Sequence, residues 1–301
     1  MSDQAEKLRE IINSLRNRPP IPLPSAQMQQ KRKCRVLTVT SGKGGVGKTN
    51  ISVNLALNLS QMGYRVVILD ADFGLANIDI VFGVSPNYTL LDVINDSKTI
   101  FDIICEGPMN VKFISGGSGL EEMVHLEKWQ LEALIEKIGS LDKIADIIII
   151  DTGAGISDNV ISFTLASDEV ILITTPEPTA IMDAYALIKT ISNKDNEKEI
   201  QLIVNRAENE KEALSTMQKL SFASETFLGI KIQLLGYILY DTTVVKAIKQ
   251  QEPFAISYPK SNVSRQLHEI ACKIVQADDG KMKNYTGIRG FFRRLVNLDN
   301  A

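Results

Sequence analysis

A chain of 301 residues, 44% apolar and with mean hydropathy near zero, has room for one large α/β domain or two small ones around a sizeable core. Its net charge of −3 is unevenly spread: residues 1–33 carry seven Lys/Arg against three Asp/Glu and residues 277–301 five against three, leaving an acidic middle. That body repels nucleic-acid phosphates, so no direct nucleic-acid binding is expected, and the basic ends are the parts suited to partners or anionic surfaces.

The opening MSDQAEKLRE is charged and lacks the apolar stretch of a signal peptide, and no uncharged apolar run is long enough to span a bilayer. Cys34, Cys105 and Cys272 are isolated, with no C-x-x-C pair, which fits a reduced cytoplasm and gives no ligand set for a cluster.

In chain order, Leu8, Ile11, Ile12 and Leu15 recur at helical spacing, predicting a short helix within residues 1–18. Four prolines between Pro19 and Pro24, then a basic run, make 19–33 an extended linker. Residues 34–277 alternate strand and helix patterns. Apolar strand runs fall at 35–40, 65–69, 111–114, 147–150, 170–174, 201–204 and 232–239, with helical stretches at 48–62, 127–138, 159–166 and 179–191 among those between them. Runs that are apolar throughout belong to a sheet covered on both faces, so the expected fold is a doubly wound, mostly parallel α/β sheet. Residues 278–286 read as a second linker.

The last segment, 287–301, contains GIRGFFRRLVNL. On a helix Ile288, Phe291, Phe292, Leu295, Val296 and Leu298 fall within roughly 160°, with Arg289, Arg293, Arg294 and Asn297 opposite. Such a helix either docks its apolar face on the domain or lies in a membrane interface; the basic flanks and aromatic pair favour the membrane. A short helix of this kind binds weakly, and pairing two in a dimer strengthens the attachment.

The chemistry is concentrated in VLTVTSGKGGVGKTNISVNLAL, a strand, a glycine loop and a helix start. Gly42, Lys43, Gly44, Gly45, Val46, Gly47, Lys48, Thr49 and Asn50 form the loop and its exit. Backbone N–H groups close around phosphate oxygens, Lys48 reaches the β- and γ-phosphates of ATP, and the Thr49 hydroxyl ligates Mg²⁺. ILDADFGLANIDIVFG places Asp70 and Asp72 where a strand emerges; these carboxylates position water, touch the metal's hydration shell or cap the loop. IIIIDTGAG sets Asp151 at a strand tip beside Mg²⁺, reached through water, with Gly153 and Gly155 in a mobile switch. LIVNRA puts Asn205 and Arg206 after a later strand, where an asparagine is also common turn chemistry. His125 and His268 lack partner ligands, Trp129 is expected to pack in its helix, and TTPEPTAIMDAY starts a helix after Pro178 with no chemistry assigned.

KGGVGKT with lysines at 43 and 48 resembles the deviant Walker A loop of the MinD/ParA ATPases, and the resemblance covers about 35–277. It implies that Lys43 crosses a dimer interface to the partner's phosphates and supplies charge for a slow, dimer-dependent hydrolysis of ATP to ADP and phosphate. It also assigns Asp72 the attacking water, and Asn205 with Arg206 the nucleotide. Iron–sulfur branches need paired cysteines and DNA-partitioning branches a basic surface; the basic terminal helix resembles the MinD branch. DQAEKLR near the start is similar to the FlhG (FleN, YlxH) regulators of flagellar number and placement. There, by resemblance, Gln4, Leu8 and Arg9 contact an FlhF-type GTPase and stimulate it, and further partners are flagellar switch (C-ring) proteins or a flagellar transcription activator. Ile288, Phe291, Phe292, Leu295, Arg293 and Arg294 become the membrane-binding set, holding an ATP-bound homodimer at the inner face of the cell membrane. A MinD-type positioner of the division site is the alternative; MinD lacks the N-terminal helix.

Overall fold

The computed structural model describes residues 34–72, 77–116, 119–123, 126–276 and 285–299, without the side chains of 121 and 297–299. All of them fall in the compact unit bounded by Lys33 and Ala301. The expected N-terminal helix with Gln4, Leu8 and Arg9, the 19–33 linker, most of the 278–286 linker and His125 lie outside the described residues.

Eight strands form one sheet: β1 (Arg35–Ser41), β2 (Val66–Ala71), β3 (Cys105–Glu106), β4 (Lys112–Ser115), β5 (Ile147–Ala154), β6 (Glu169–Thr174), β7 (Ile200–Ala207) and β8 (Gln233–Leu239). Their spatial order is β3-β4-β2-β5-β1-β6-β7-β8. All neighbours run parallel except β3, which pairs antiparallel with β4 through Cys105–Phe113 and Glu106–Lys112. Period-2 alternation divides the strands' side chains between the two faces of the sheet. Leu37, Val39, Ile147 and Ile149 face one side with helix α1 (Lys48–Gln61); Val36, Val67, Ile148 and Ile150 face the other. Both sides are apolar because both are roofed.

The seven sequence-predicted strands are all present, most extended by one to four residues at their ends. The two-residue β3 had no legible pattern, being too short for any periodicity to register. Two-residue edge pairing of this kind is decided by the neighbour, not by local propensity.

The remaining helices are α2 (Ile78–Phe82), α3 (Leu90–Ile94), α4 (Gly119–Glu122), α5 (Lys128–Gly139), α6 (Asp158–Ala166), α7 (Pro178–Lys194), α8 (Glu210–Leu228), α9 (Thr242–Gln250), α10 (Phe254–Ser257), α11 (Asn262–Gln276) and α12 (Gly287–Asp299). Pro178 opens α7 at its first helical position, where the missing N–H costs nothing. Asn209 caps α8 by accepting from Glu212 N. At the β8 edge, Lys273 Nζ donates to Leu235 O and Leu239 N donates to Gln266 Oε1, so side chains from α11 occupy backbone groups that another strand could pair with.

Helix α12 lies on the domain. Phe291 and Phe292 are fully buried, Ile288 and Leu295 nearly so, in a core with Leu134, Ile138 and Phe163. Phe163 and Phe291 sit 5.8 Å apart between ring centroids, and Phe291 meets Phe292 edge-on at 5.2 Å. The polar face is fastened too. Ile288 N donates to Asp142 Oδ1 at 2.8 Å, capping the helix start. Arg294 donates to Ala166 O and to Asp168 Oδ1, at 2.7 and 3.0 Å, and Arg289 and Arg293 pair with Glu136. Just ahead of the helix, Tyr285 lies against the Arg35 guanidinium, 5.4 Å from ring centroid to cation, and donates to Glu169. Of the two arrangements the sequence left open, this is the docked one.

Trp129 is a correction. It sits on α5 as expected but is 71% exposed, so it is not packing. The inward positions of α5 are Leu131, Leu134, Ile135 and Ile138, and residue 129 falls outside that stripe. His268 is held by Asn58, with Nδ1 3.2 Å from Oδ1, which agrees with a structural role.

Candidate nucleotide site

The glycine loop runs from the C-terminal end of β1, at the centre of the sheet, into the N-terminus of α1. This is the ligand edge of an open α/β sheet, where strand tips and a helix N-terminus converge. Gly47 caps α1 at φ 95°, a left-handed conformation that L side chains rarely adopt. A Cβ there would also stand 2.5 Å from Asn205 Nδ2, and one on Gly42 would overlap the Asp183 backbone. By contrast, nothing lies within 4 Å of where a Cβ would project from Gly44 or Gly45. The outer rim of the loop is therefore open and its base is tightly packed, as a phosphate cradle requires.

The predicted residues gather around this loop. Lys48 is buried and donates to Asp151 Oδ1 at 3.2 Å. Asp151 and Asp70 stand side by side in the β2–β5 register. Asn205 donates through Nδ2 to Val46 O at 2.7 Å, tying the end of β7 to the loop. Arg206, next in sequence, is exposed at φ 58°. A cavity of about 190 Å³ opens here, lined by Gly47, Asn50, Asn205 and Arg206, with Tyr240 and Val244 among its other walls. Its position and mostly apolar lining suit a nucleoside base beside the phosphates. A second hollow, of about 200 Å³, lies between Asp72, Gly153 and Asn159, with Phe163 at its floor.

Of the tasks the sequence left open for Asp70, the structure shows it binding backbone. Its Oδ1 accepts from Asp72 N at 3.1 Å, and its Oδ2 from Asn77 N and Ile78 N at 3.0 and 3.3 Å. It thereby holds the backbone of Asp72 together with that of Asn77 and Ile78. Burial, and secondarily the Asp151 carboxylate, push Asp70 up from 3.8 to about 6, against the pull of those three N–H groups.

A raised folded-state pKa means the native protein holds this proton more tightly than the unfolded chain. The associated stability is present at acid pH and is lost as pH climbs through about 4 to 6. Relative to Asp70→Asn, the wild type is expected to gain about 1–2 kcal/mol between pH 7 and pH 5 in denaturant unfolding. A pH-independent difference would refute this.

Three participants went unnoticed in the sequence. Ser52 Oγ donates to Asp151 Oδ1 at 2.8 Å. Glu177 Oε2 and Thr179 Oγ1 each accept from Lys43 Nζ at 2.8 Å. Ser52 lies four residues beyond Lys48 on α1, so helical spacing could have found it. Glu177 and Thr179 could not be found that way, because they are more than 130 residues from Lys43.

The residues present fit a magnesium nucleotide. Asp151 Oδ2 is buried and has no hydrogen-bond partner among the described residues, an uncommon state for a carboxylate oxygen unless something else completes it. Lys48 reaches the same carboxylate through Oδ1, and Thr49 follows it in the first turn of α1. Thr49 would hold a magnesium ion directly and Asp151 through water, and the ion would supply positive charge to offset that of the phosphates.

A family model described as a ParA-type "NUBPL iron-transfer P-loop NTPase" matches residues 32–275. The chain is 40% identical over 248 residues to the antiactivator FleN of Pseudomonas aeruginosa, covering 82% of this chain and 89% of that one. It is 34% identical over 300 residues to the flagellum site-determining protein YlxH of Helicobacter pylori, covering 98% and 99%. Among solved structures it resembles the septum site-determining protein MinD of Pyrococcus horikoshii complexed with Mg-ADP. That likeness has a TM-score of 0.65 and 26% identity, covering 83% of this chain and all of the other. The glycine loop, the paired carboxylates Asp70 and Asp151 and these likenesses lead to one conclusion: the chain belongs to the MinD/ParA family of P-loop ATPases, with the flagellar regulators FleN and YlxH among its homologues.

Proposed function

We propose that this ATPase is a dimerising, membrane-associating switch that regulates flagellar number or placement and stimulates an FlhF-type GTPase. The observation that carries the switch is the setting of Lys43. Its ammonium is partly exposed and bound only at the surface to Glu177 and Thr179, outside its own phosphate loop. A surface pair of this kind is worth about 0–1 kcal/mol, so exchanging it for a partner subunit's nucleotide phosphates costs little. Exposed Ile156 and Met182 add apolar area available to a second copy.

In the proposed cycle, ATP occupies residues 42–50 with its base beside Asn205 and Arg206, and Lys43 crosses to the other subunit. Asp72, steadied by Asp70, orients the attacking water; Lys43 and Lys48 meet the charge gathering on the departing γ-phosphate. Loss of that phosphate breaks the contacts that join the subunits. Membrane attachment uses the same residues that α12 buries, so the helix must leave the domain first. Its arginines then exchange Glu136 and Asp168 for anionic headgroups. Mg²⁺ accompanies the nucleotide, residues 1–18 engage the GTPase through Gln4, Leu8 and Arg9, and switch (C-ring) proteins or a transcription activator are further partners.

Homology to YlxH along nearly the whole chain, the N-terminal segment included, favours the flagellar reading over a division-site positioner. The test adds the full chain, or a form lacking residues 1–18, to an FlhF-type GTPase. Faster GTP hydrolysis with the full chain alone is expected. Equal rates with both forms would leave the division-site reading in its place.

A further inference from the structure

Asp151 uses its two oxygens unequally. Oδ1 accepts from Ser52 Oγ at 2.8 Å and from Lys48 Nζ at 3.2 Å. Oδ2 is buried and has no partner among the described residues. Ser52 is fully buried on α1, one helical turn beyond Lys48. A serine inside a helix commonly donates to the carbonyl four residues back; this one donates to a carboxylate 99 residues away in sequence.

The two donors on Oδ1 are not equivalent. Lys48 has a long, flexible stem, and in the nucleotide-bound state its ammonium turns to the phosphates. The Ser52 hydroxyl is buried and hangs from the α1 backbone by a single rotatable bond, so it has little freedom to leave. Once Lys48 leaves, Ser52 is the donor that still fixes the rotation of the carboxylate.

The geometry assigns Ser52 as a positioning residue. By holding Asp151 Oδ1 it turns Oδ2 toward the water shell of the nucleotide's magnesium, and so sets magnesium affinity without touching the nucleotide. This rests on the magnesium-nucleotide reading of the site. Partners that orient a metal's ligands are commonly worth 10- to 100-fold in metal affinity.

The test measures binding of an N-methylanthraniloyl-labelled ADP to the full chain by fluorescence, in EDTA and across a MgCl₂ titration. For Ser52→Ala, affinity in EDTA is expected within about twofold of wild type, while the half-saturating Mg²⁺ concentration rises roughly tenfold. Ser52→Cys keeps the side chain's branching with a somewhat larger, poorly donating thiol, and should move the magnesium midpoint in the same direction. If Ser52→Ala does not fold, the cysteine variant decides alone. A magnesium midpoint within twofold of wild type, in a folded variant, overturns the inference and leaves the magnesium reading intact. An equal loss of affinity in EDTA and in magnesium overturns it as well, because that is what general damage to the loop would give. A wild type whose affinity ignores magnesium removes the reading and the inference together.

Discussion

Replacing Lys43 by alanine is expected to lower ATP turnover by at least about 10²-fold while leaving ATP binding by the single subunit within about threefold. In the proposed cycle the loop's own contacts come from Lys48, Thr49 and the backbone N–H groups, none of which the change removes. In the proposed cycle the change removes a charge delivered to the partner's γ-phosphate, and single groups that stabilise such charge are worth about 10²–10³, or more when supplied in trans. Wild-type turnover per subunit should rise with protein concentration, whereas Lys43→Ala should stay flat. Unchanged turnover with the same concentration dependence would reduce Lys43 to a surface charge paired with Glu177, and the dimer switch would go with it.

The second large effect is expected at Phe163, which touches neither nucleotide nor membrane in the proposed cycle. Its ring lies between the hollow beside Asp72 and the buried face of α12. Phe163→Ala should cost about 3–5 kcal/mol in denaturant unfolding, as removal of a core phenylalanine does. It should also weaken the seat of α12, so that vesicles containing anionic lipid pull down more of the protein without ATP than they do of wild type. A form lacking residues 287–301 should not sediment in either state. Destabilisation without added vesicle binding would sever the docked helix from membrane attachment, and sedimentation of the truncated form would remove the helix from that role.

Much of the architecture was legible because it rests on short-range rules. Apolar strand runs separated by amphipathic helices allow few solutions, and the doubly wound sheet is one in which both faces are covered. The glycine loop was legible for a sharper reason: a backbone cradle needs glycine at set positions, and a lysine and a hydroxyl must follow at fixed reach. The apolar runs placed Asp70 and Asp151 at strand tips; the structure sets the two in register but carries β5 on to Ala154, three residues past Asp151. The alternation could not say that Asp70 binds the backbone of Asp72, Asn77 and Ile78, because those bonds depend on tertiary placement and not on strand periodicity.

The sequence by itself determined the sheet, the phosphate loop and the amphipathic character of the last helix, since each follows from residue type and spacing within a few turns of chain. Only the tertiary structure decided where that last helix goes: its apolar face satisfies a lipid interface and a protein groove equally well, and Asp142, Asp168 and Glu136, all distant in sequence, supply the polar contacts that hold it down. The setting of Lys43 was likewise beyond local reading. Its pairing with Glu177 and Thr179 arises where the start of α7 meets the loop after β1, and no periodicity along the chain records that meeting.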